Sequence, residues 1–234
     1  MLEFSQEELD QFSKDYIELS LEALDRGQLE EAREYLRRHD RIKNKMHDAY
    51  LVWIGRLMAH IYQSWGEDAA VEALKATMID LKSMPGVRDE CVERGGLRAW
   101  IETMVDGWRV HGSHPGLTVQ EDEEKFTISV QPCGSGGRLI DDGYYDGPDP
   151  ILPKLQKAGP HTWGETDVPI YCAHCALAHE VGPLESGKAG AQLWVHEAPF
   201  PRKKGDPCIH HFYKDPKAIP AHYYERIGLK DKVK

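Results

Sequence analysis

The sequence lacks the long apolar runs that would place it in a membrane. Its apolar runs, such as residues 49–55, are far shorter than the roughly 18 to 20 residues needed to cross a bilayer. Glu3, Glu7 and Glu8 also do not fit the start of a signal peptide. Positive charge is in deficit, because 29 Lys and Arg stand against 39 Asp and Glu, for a net charge of −10. We therefore expect a soluble, cytoplasmic protein that binds neither membranes nor nucleic acid.

Cysteine is scarce and odd in number, which does not fit a framework of disulfides. The chain has five cysteines in 234 residues, and a chain of this length can bury a core without cross-links. In a cytoplasmic protein, cysteines are more often metal ligands or nucleophiles than disulfide partners. Four of the five lie at positions 133, 172, 175 and 208, in the same half of the chain as most of the histidines. We expect the chemistry of the protein in this half.

The first hundred residues have the periodicity of amphipathic helices. Ser5 and Glu8 have the spacing of a capping box, and apolar residues then recur every three or four positions until Gly27, which predicts one helix. Further helices are predicted to begin at Leu29, to span the apolar stripe of residues 42–61 and end near Gly66, and to cover residues 68–82 and 97–110.

The pattern changes after residue 110 from helical to extended. Residues 111–116 contain two histidines, two glycines and a proline, which indicates a loop. Alternating and branched residues then predict three strands, at residues 125–130, 192–196 and 209–213. The loops between them are rich in Gly, Pro and Asp, so strand pairing alone would not hold them. A bound metal ion would do so.

Together these regions predict an α+β fold. We expect a helical region over residues 1–112, packed on a small antiparallel sheet in a β-rich region over residues 113–234. The two regions are expected to share one core, with the long loops tied by a Cys-rich metal site.

The spacing of the cysteines predicts that metal site. Two residues separate Cys172 from Cys175, which lets both thiolates face one ion. Adding Cys133 and Cys208 gives four thiolates, the complement of a closed tetrahedral zinc site. Iron or an iron–sulfur cluster would use the same thiolates. A zinc ion bound by four cysteines is usually structural, because no position is left for water or substrate.

A histidine in the ligand set would change that conclusion. If a histidine replaces one cysteine, or if only three residues bind and the fourth position is open, the metal can act as a Lewis acid. The histidines concerned are His174, His179, His210 and His211. The sequence leaves the structural and the catalytic metal site as alternatives.

Cys133 also has the surroundings of a nucleophile. It follows a predicted strand and precedes residues 134–137, Gly-Ser-Gly-Gly, whose backbone N–H groups can stabilise a thiolate or an oxyanion. Arg138 could bind a substrate carboxylate through two hydrogen bonds. His161 or His174 could serve as the base. The alternative is that the glycines only form a turn around a metal-bound sulfur.

The C-terminal segment has a family resemblance. Residues 193–197, Leu-Trp-Val-His-Glu, and residues 205–212, Gly-Asp-Pro-Cys-Ile-His-His-Phe, resemble the closing β-hairpin of 4-vinyl-reductase-type small-molecule-binding domains. The segment is also similar to the end of the L-2-amino-thiazoline-4-carboxylate hydrolase family, in which a glutamate on one strand is followed by Gly-Asp and then by a cysteine that starts the next strand. The resemblance implies an α+β domain with a ligand cavity between helices and sheet, and it carries no activity over to this chain.

Thiols, histidines, a glycine turn and aromatic residues coincide in one half of the chain, which favours an enzyme. We expect a zinc-dependent or zinc-stabilised hydrolase or lyase that acts on a small molecule, in a pocket between the helices and the Cys/His-rich loops. One alternative is a non-catalytic sensor or accessory domain that binds a small molecule and has a structural zinc. Another is a hydrolase with Cys133 as its nucleophile. The sequence leaves self-association of the chain open.

Overall fold

The structure is a computed structural model that describes residues 5–78, 87–112, 116–182, 194–197, 200 and 202–230, without the side chains of residues 7, 8, 78 and 87–94. The chain divides into two compact units, Met1–Tyr50 and Leu51–Lys234. Helices and a small antiparallel sheet make up the fold, which confirms the predicted α+β class. None of the described helices is both long enough and apolar enough to cross a membrane.

The first unit is helical. Helix α1 spans Gln6–Gln11, α2 spans Tyr16–Asp25, and α3 begins at Leu29. The prediction of a single helix up to residue 27 is wrong, because Asp15 starts a new helix. Its carboxylate accepts hydrogen bonds from the backbone N–H groups of Ile17 and Glu18 at 2.7 and 2.8 Å. These bonds satisfy two of the donors that a helix start leaves open.

Helix α2 and the start of α3 are joined by a tight reversal of the chain. The turn is at Gly27, whose φ of +74° lies in the left-handed region that favours glycine. Leu19, Ala23 and Ala32 are buried. Ser20 donates a hydrogen bond to the carbonyl of Ala32 at 3.1 Å. This bond ties the two helices together.

Helix α3 spans Leu29–Trp65, so the two helices predicted over this stretch form one. Neither glycine nor proline interrupts residues 29–54. Ion pairs one turn apart, such as Arg33 with Glu30, support its exposed face. The helix ends beside Gly66, as the sequence predicts, and the φ of Gly66 is +87°.

Two more helices, α4 and α5, precede the sheet. Helix α4 spans Glu67–Met78, one residue from the predicted start, and its predicted end at residue 82 lies outside the described residues. Helix α5 spans Val87–Val110 and is bent at Gly96, whose φ of +69° is not helical. The predicted helix over residues 97–110 is the part of α5 that follows this bend.

The main sheet has four antiparallel strands. They are β1 (Leu117–Glu121), β2 (Lys125–Val130), β5 (Trp194–Glu197) and β6 (Cys208–Tyr213), and a second sheet pairs β3 (Lys154–Leu155) with β4 (Val168–Pro169). In the main sheet the order is β1-β2-β6-β5. Strands β2, β5 and β6 confirm the three predicted strands, although residues 192 and 193 lie outside the described residues. The sequence does not predict β1, because four of its five residues are exposed and it lacks an apolar alternation.

Short helices connect the strands. Helix α6 (Gly136–Asp141) follows β2, and α8 (Ala221–Glu225) follows β6. Between β4 and β5 runs a helical segment with three hydrogen-bonding patterns. It is a 3₁₀-helix over Ile170–Cys172, an α-helix (α7) over Ala173–Cys175 and a π-helix over Ala176–Val181. Such π-helical turns occur frequently at functional sites.

Three groups of buried side chains form the core of the second unit. The first, which includes Leu74 and Leu177, packs α4 and the second half of α3 against α7 and the π-helix. The second, which includes Trp100 and Phe212, packs α5 on the main sheet. The third, which includes Ile227, packs the π-helix against β5, β6 and the region of α8. Helices α4 and α5 therefore share buried side chains with the β-rich region.

Candidate functional site

A cavity of about 180 Å³ lies where α5, the helical segment of residues 170–181 and strands β5 and β6 meet. Its wall contains the four cysteines that the sequence predicts as ligands, together with five histidines and three tryptophans. These residues are Cys133, Cys172, Cys175, Cys208, His111, His174, His179, His196, His210, Trp108, Trp163 and Trp194. None of these four cysteines is in a disulfide. The fold thus gathers thiols and imidazoles that are far apart in the sequence.

The thiols come from three segments of the chain. Cys133 lies between β2 and α6, and Cys208 begins β6 beside the end of β2. Cys172 and Cys175 lie on the helical segment. Gly136 lets two of these segments meet, because a Cβ atom added there would lie 2.7 Å from the Cys172 sulfur. A larger residue at that position would have to displace Cys172.

Cys133 is the thiol whose surroundings favour the charged form. The Cys208 thiol donates a hydrogen bond to its sulfur, and this lowers the pKa of Cys133 well below its usual value despite burial. Backbone N–H groups of Ser135 and Gly137 and the positive charge of Arg202 act in the same direction. Arg202 Nη1 also donates to the Cys208 sulfur at 2.9 Å. The same hydrogen bond raises the pKa of Cys208, so the two sulfurs share one proton.

Burial keeps the other two thiols neutral. Burial and the negative charge of Cys133 raise the pKa of Cys172 to about 12 and that of Cys175 well above its usual range. Four neighbouring sulfurs therefore share little negative charge. A cation bound among them would favour further ionisation.

Three side chains on the helical segment are placed to bind one metal ion. The ligand atoms of His174, Cys175 and His179 all lie within 4.8 Å of one another. His174 Nε2 is 3.3 Å from the Cys175 sulfur. Nitrogen and sulfur ligands of a tetrahedral zinc ion lie about 3.5 Å apart, given bonds of about 2.0 and 2.3 Å. His174 Nδ1 is 2.5 Å from the carbonyl oxygen of Tyr171, and such a bond orients most metal-binding imidazoles.

The four predicted cysteine ligands line the cavity, but their sulfurs do not form a set of this kind. Within the described ranges, His174, Cys175 and His179 are the only group of three or more ligand atoms so close together. Cys175 belongs to both ligand sets. The four-thiolate site stays a prediction, and its sulfurs would have to approach one another to bind an ion.

The π-helix explains how His179 comes near His174. Its backbone hydrogen bonds join residues five apart, so a residue and the fifth after it lie on one face. In an α-helix, neighbours on one face are three or four apart. The sequence names both histidines as substitutes for a cysteine, but their spacing of five gives no reason to pair them.

A fully buried carboxylate, Glu180, lies next to this group. Arg226 donates three hydrogen bonds to it at 2.7 to 3.1 Å, and Trp163 Nε1 donates one at 3.0 Å. The backbone N–H of His196 donates another at 3.0 Å. Burial alone would raise the pKa of Glu180, but the hydrogen bond from the His196 ring and the charge of Arg226 lower it. Glu180 is therefore an ionised carboxylate, which the sequence analysis missed because nothing in the pattern separates it from other glutamates.

Two histidines of the main sheet complete the wall. His196 on β5 is paired in register with His210 on β6, and their ring centroids are 4.8 Å apart. His196 Nδ1 is 3.2 Å from Glu180, and His210 Nδ1 accepts a hydrogen bond from Trp194 Nε1 at 3.2 Å. Burial lowers the pKa of both rings, so both are neutral. The sequence names His210 only as a substitute metal ligand, and it does not single out His196.

Three predicted residues lie away from the cavity wall. Arg138 is on α6, where its backbone N–H bonds to the Cys133 carbonyl at 3.1 Å, and it is not among the described lining residues. His161 lies on a 3₁₀-helix with its Nε2 3.9 Å from Glu67, so it is not placed to act as the base for Cys133. His211 follows His210 on β6, and strand alternation turns it to the opposite face of the sheet.

Comparison of the chain with protein-family models, with curated proteins and with solved structures finds no match.

Proposed function

We propose that the chain is a metal-dependent hydrolase or lyase that acts on a small molecule, with the ion held by His174, Cys175 and His179. The observation that carries the proposal is the closeness of the three ligand atoms, within 4.8 Å, on the wall of a cavity. Catalytic zinc sites have three protein ligands and leave a fourth position for water or substrate. A bound ion would supply a Lewis acid that polarises the bond to be cleaved.

The donor set favours zinc over magnesium or calcium. Two imidazole nitrogens and one sulfur suit zinc and iron, whereas magnesium and calcium bind oxygen ligands. Burial lowers the pKa of His174, which keeps its ring in the neutral form that binds metal. Since magnesium and calcium do not suit these ligands, metal analysis of the purified protein has to distinguish zinc from iron.

The cavity limits the substrate to a small molecule. Its volume is about 180 Å³, and an apolar cavity of about 150 Å³ is enough for benzene. Trp108, Trp163 and Trp194 provide flat apolar surfaces around it. We expect a substrate the size of one ring, with few polar groups.

The test is metal binding by the full chain, purified without chelator or affinity tag. We expect one equivalent of zinc. Co²⁺ should replace the zinc and give a charge-transfer absorption band from the cysteine sulfur to cobalt. His179→Ala and Cys175→Ser should each lower the affinity for Co²⁺ by at least about 100-fold, since loss of an orienting group alone lowers it by 10 to 100-fold. The matched control is Cys208→Ser, which removes a cavity thiol outside the proposed ligand set and should leave the affinity unchanged.

Azide then separates a catalytic ion from a structural one. If a coordination position is open, azide changes the visible spectrum of the Co²⁺-loaded protein. A closed four-cysteine site would not respond, and it would lose its metal in Cys208→Ser. That result would overturn the proposal in favour of a non-catalytic binding domain with a structural zinc.

A hydrolase with Cys133 as nucleophile is the second candidate function. The observation that favours it is the hydrogen bonding of the Cys133 sulfur, which lowers the pKa of this thiol in the cavity wall. His174, one of the two predicted bases, lies in the same wall. Turnover of a panel of small amides distinguishes the candidates. Cys133→Ser should abolish turnover with metal still bound if Cys133 is the nucleophile, and chelation should abolish it if the metal is required.

A further inference from the structure

His196 and His210 both line the cavity, and the Nε2 atom of each ring is buried. Their residues are 5% and 4% exposed. Neither Nε2 atom has a hydrogen-bond partner among the described residues, although the other ring nitrogen of each is bonded to a protein group. Since buried polar atoms in proteins are nearly always paired, these two atoms point to a ligand in the cavity.

Glu180 makes His196 an acceptor toward the cavity. An ionised carboxylate only accepts hydrogen bonds, so the His196 Nδ1 atom, 3.2 Å from Glu180, must carry the proton. The backbone N–H of His196 donates to the same carboxylate oxygen, which fixes the position of the strand against it. In the neutral ring, Nε2 then has the free electron pair.

Trp194 makes His210 a donor toward the cavity. An indole N–H only donates hydrogen bonds, so the His210 Nδ1 atom, 3.2 Å from Trp194 Nε1, must be the acceptor. In the neutral ring, Nε2 then carries the proton. The two adjacent rings therefore offer opposite groups, an electron pair on His196 and an N–H on His210.

We propose that this pair binds the edge of a neutral amide group on the substrate, with the amide N–H donating to His196 and the amide oxygen accepting from His210. The ring centroids are 4.8 Å apart and the rings are inclined by 69°, so the two rings are direct neighbours in the cavity wall. A carboxylate has only acceptors and would leave His196 without a donor. An amidinium has only donors and would oppose the N–H of His210.

The surroundings of the pair suit an amide on a flat apolar ring. The Trp108 ring centroid is 4.8 Å from that of His210, and the Trp194 ring centroid is 5.4 Å from that of His196. The guanidinium beside this wall, Arg226, is already bonded to Glu180 and to the carbonyl of His196. It is therefore not placed to attract a carboxylate into the cavity.

This inference deepens the proposed function, because it names the group by which the substrate is recognised. Binding through the two histidines nevertheless needs no metal. The tests are therefore made on both chelator-treated and zinc-loaded protein. Selective amide binding by protein that takes up no metal would support this inference and contradict the metal-dependent function. Metal uptake without selective amide binding would contradict this inference and leave the metal-dependent function standing.

The tautomers are measured first, by ¹⁵N NMR of the imidazole rings in the histidine-labelled full chain at pH 7.5. We expect the proton on Nδ1 in His196 and on Nε2 in His210. His196→Phe and His210→Phe assign the signals, and His222→Phe, which changes an exposed histidine, is the matched control. A reversed tautomer at either ring, or a doubly protonated ring, would overturn the proposal.

Ligand selectivity is measured next with benzamide, benzoate and benzamidine, which share one ring and differ in the polar group. Calorimetry should give an affinity for benzamide at least about tenfold above that for the other two, since each mismatched ligand leaves a buried group unpaired. His196→Phe and His210→Phe should abolish this selectivity, and His222→Phe should keep it. If the variants do not fold, benzamide must shift both ring ¹⁵N signals in the parent protein. Equal affinity for the three ligands, no benzamide binding, or unchanged ring signals would contradict the proposal.

Discussion

The two sides of the cavity fix their chemistry in different ways. We call Cys133, Cys172, Cys175 and Cys208 the thiol wall, and His196 with His210 the imidazole wall. On the thiol wall, neighbouring groups decide which sulfur is charged, and a single proton is shared between Cys133 and Cys208. On the imidazole wall both rings are neutral, and neighbouring groups decide which nitrogen carries the proton.

Under the proposed function, one cavity would hold a cation beside the thiol wall and recognise a neutral group at the imidazole wall. On the thiol wall only Cys133 has a lowered pKa, and a bound cation would favour ionisation of the other sulfurs. The imidazoles respond less, because burial opposes their protonation and the ionised Glu180 is balanced by Arg226.

The largest effect is expected from removing the charge that orients the imidazole wall. Glu180→Gln leaves Arg226 without its anionic partner, so the free energy of unfolding should fall by about 3–5 kcal/mol. Urea denaturation measures the change. The control is Glu225→Gln on the exposed side of α8, expected to alter stability by no more than about 0.5 kcal/mol. A loss in Glu180→Gln no larger than in this control would mean that the carboxylate does not hold the wall.

A smaller loss is expected from crowding the thiol wall. Gly136→Ala places a Cβ atom 2.7 Å from the Cys172 sulfur, so the free energy of unfolding should fall by about 1–3 kcal/mol. Gly107→Ala is the matched control, because a Cβ atom there has no neighbour within 4 Å in the described structure. Gly107 lies in a helix, so the free energy of unfolding of Gly107→Ala should rise by about 0.5–1 kcal/mol. Equal changes in the free energy of unfolding of the two variants would show that the helical segment moves away from the added Cβ atom of Gly136→Ala at little cost.

The charge on the thiol wall should depend on the thiol of Cys208. Its hydrogen bond lowers the pKa of Cys133, so Cys133 should remain a thiolate at pH values where ordinary thiols are protonated. Cys208→Ala should raise that pKa and slow the alkylation of Cys133 by iodoacetamide at pH 7, because a smaller fraction of the sulfur is then thiolate. Peptide mass spectrometry follows the reaction, with Cys172 as the internal reference. An unchanged pH profile of the alkylation rate in Cys208→Ala would show that the Cys208 thiol does not lower the pKa of Cys133.

The neutral imidazole wall should make stability fall in acid. Burial holds the pKa of His210 well below 6.5 in the folded protein, while in the unfolded chain the value stays near 6.5. Below pH about 6.5 only the unfolded chain binds the proton, so this contribution is present above that pH and is lost as pH falls. The expected loss is about 1 kcal/mol between pH 7.5 and 5.5 for this residue.

Thermal denaturation of chelator-treated protein across this pH range measures the loss. His210→Gln should show a shallower decrease of the melting temperature than the parent, and His222→Gln should follow the parent. A parent protein that is equally stable at both pH values would contradict the neutral state of the wall.

Much of the fold follows from the pattern of the sequence. Strand β2 has the predicted bounds because its residues alternate in type, with Ile128 and Val130 buried and Ser129 between them half-buried, and the end of α3 follows from Gly66. The break between α1 and α2 was missed, because a cap at Asp15 interrupts an apolar stripe that is otherwise continuous. Local polar bonds of this kind leave little trace in hydrophobic periodicity.

The candidate site was predicted in residue type but not in arrangement. The sequence predicts Cys172 and Cys175 as ligands because their spacing is typical of metal sites, and the fold brings both to the cavity. The closeness of His174 and His179 depends on a π-helix, which no local pattern indicates. Glu180 gains its role from contacts made far along the chain, so sequence order alone could not reveal it.

X-ray absorption at the zinc edge tests the proposed metal site most directly. The full chain, loaded with one equivalent of zinc, should show one sulfur at about 2.3 Å and two imidazole nitrogens at about 2.0 Å, with a further light atom. That result would place the ion on His174, Cys175 and His179. Four sulfurs around the zinc, or no bound zinc, would contradict the account.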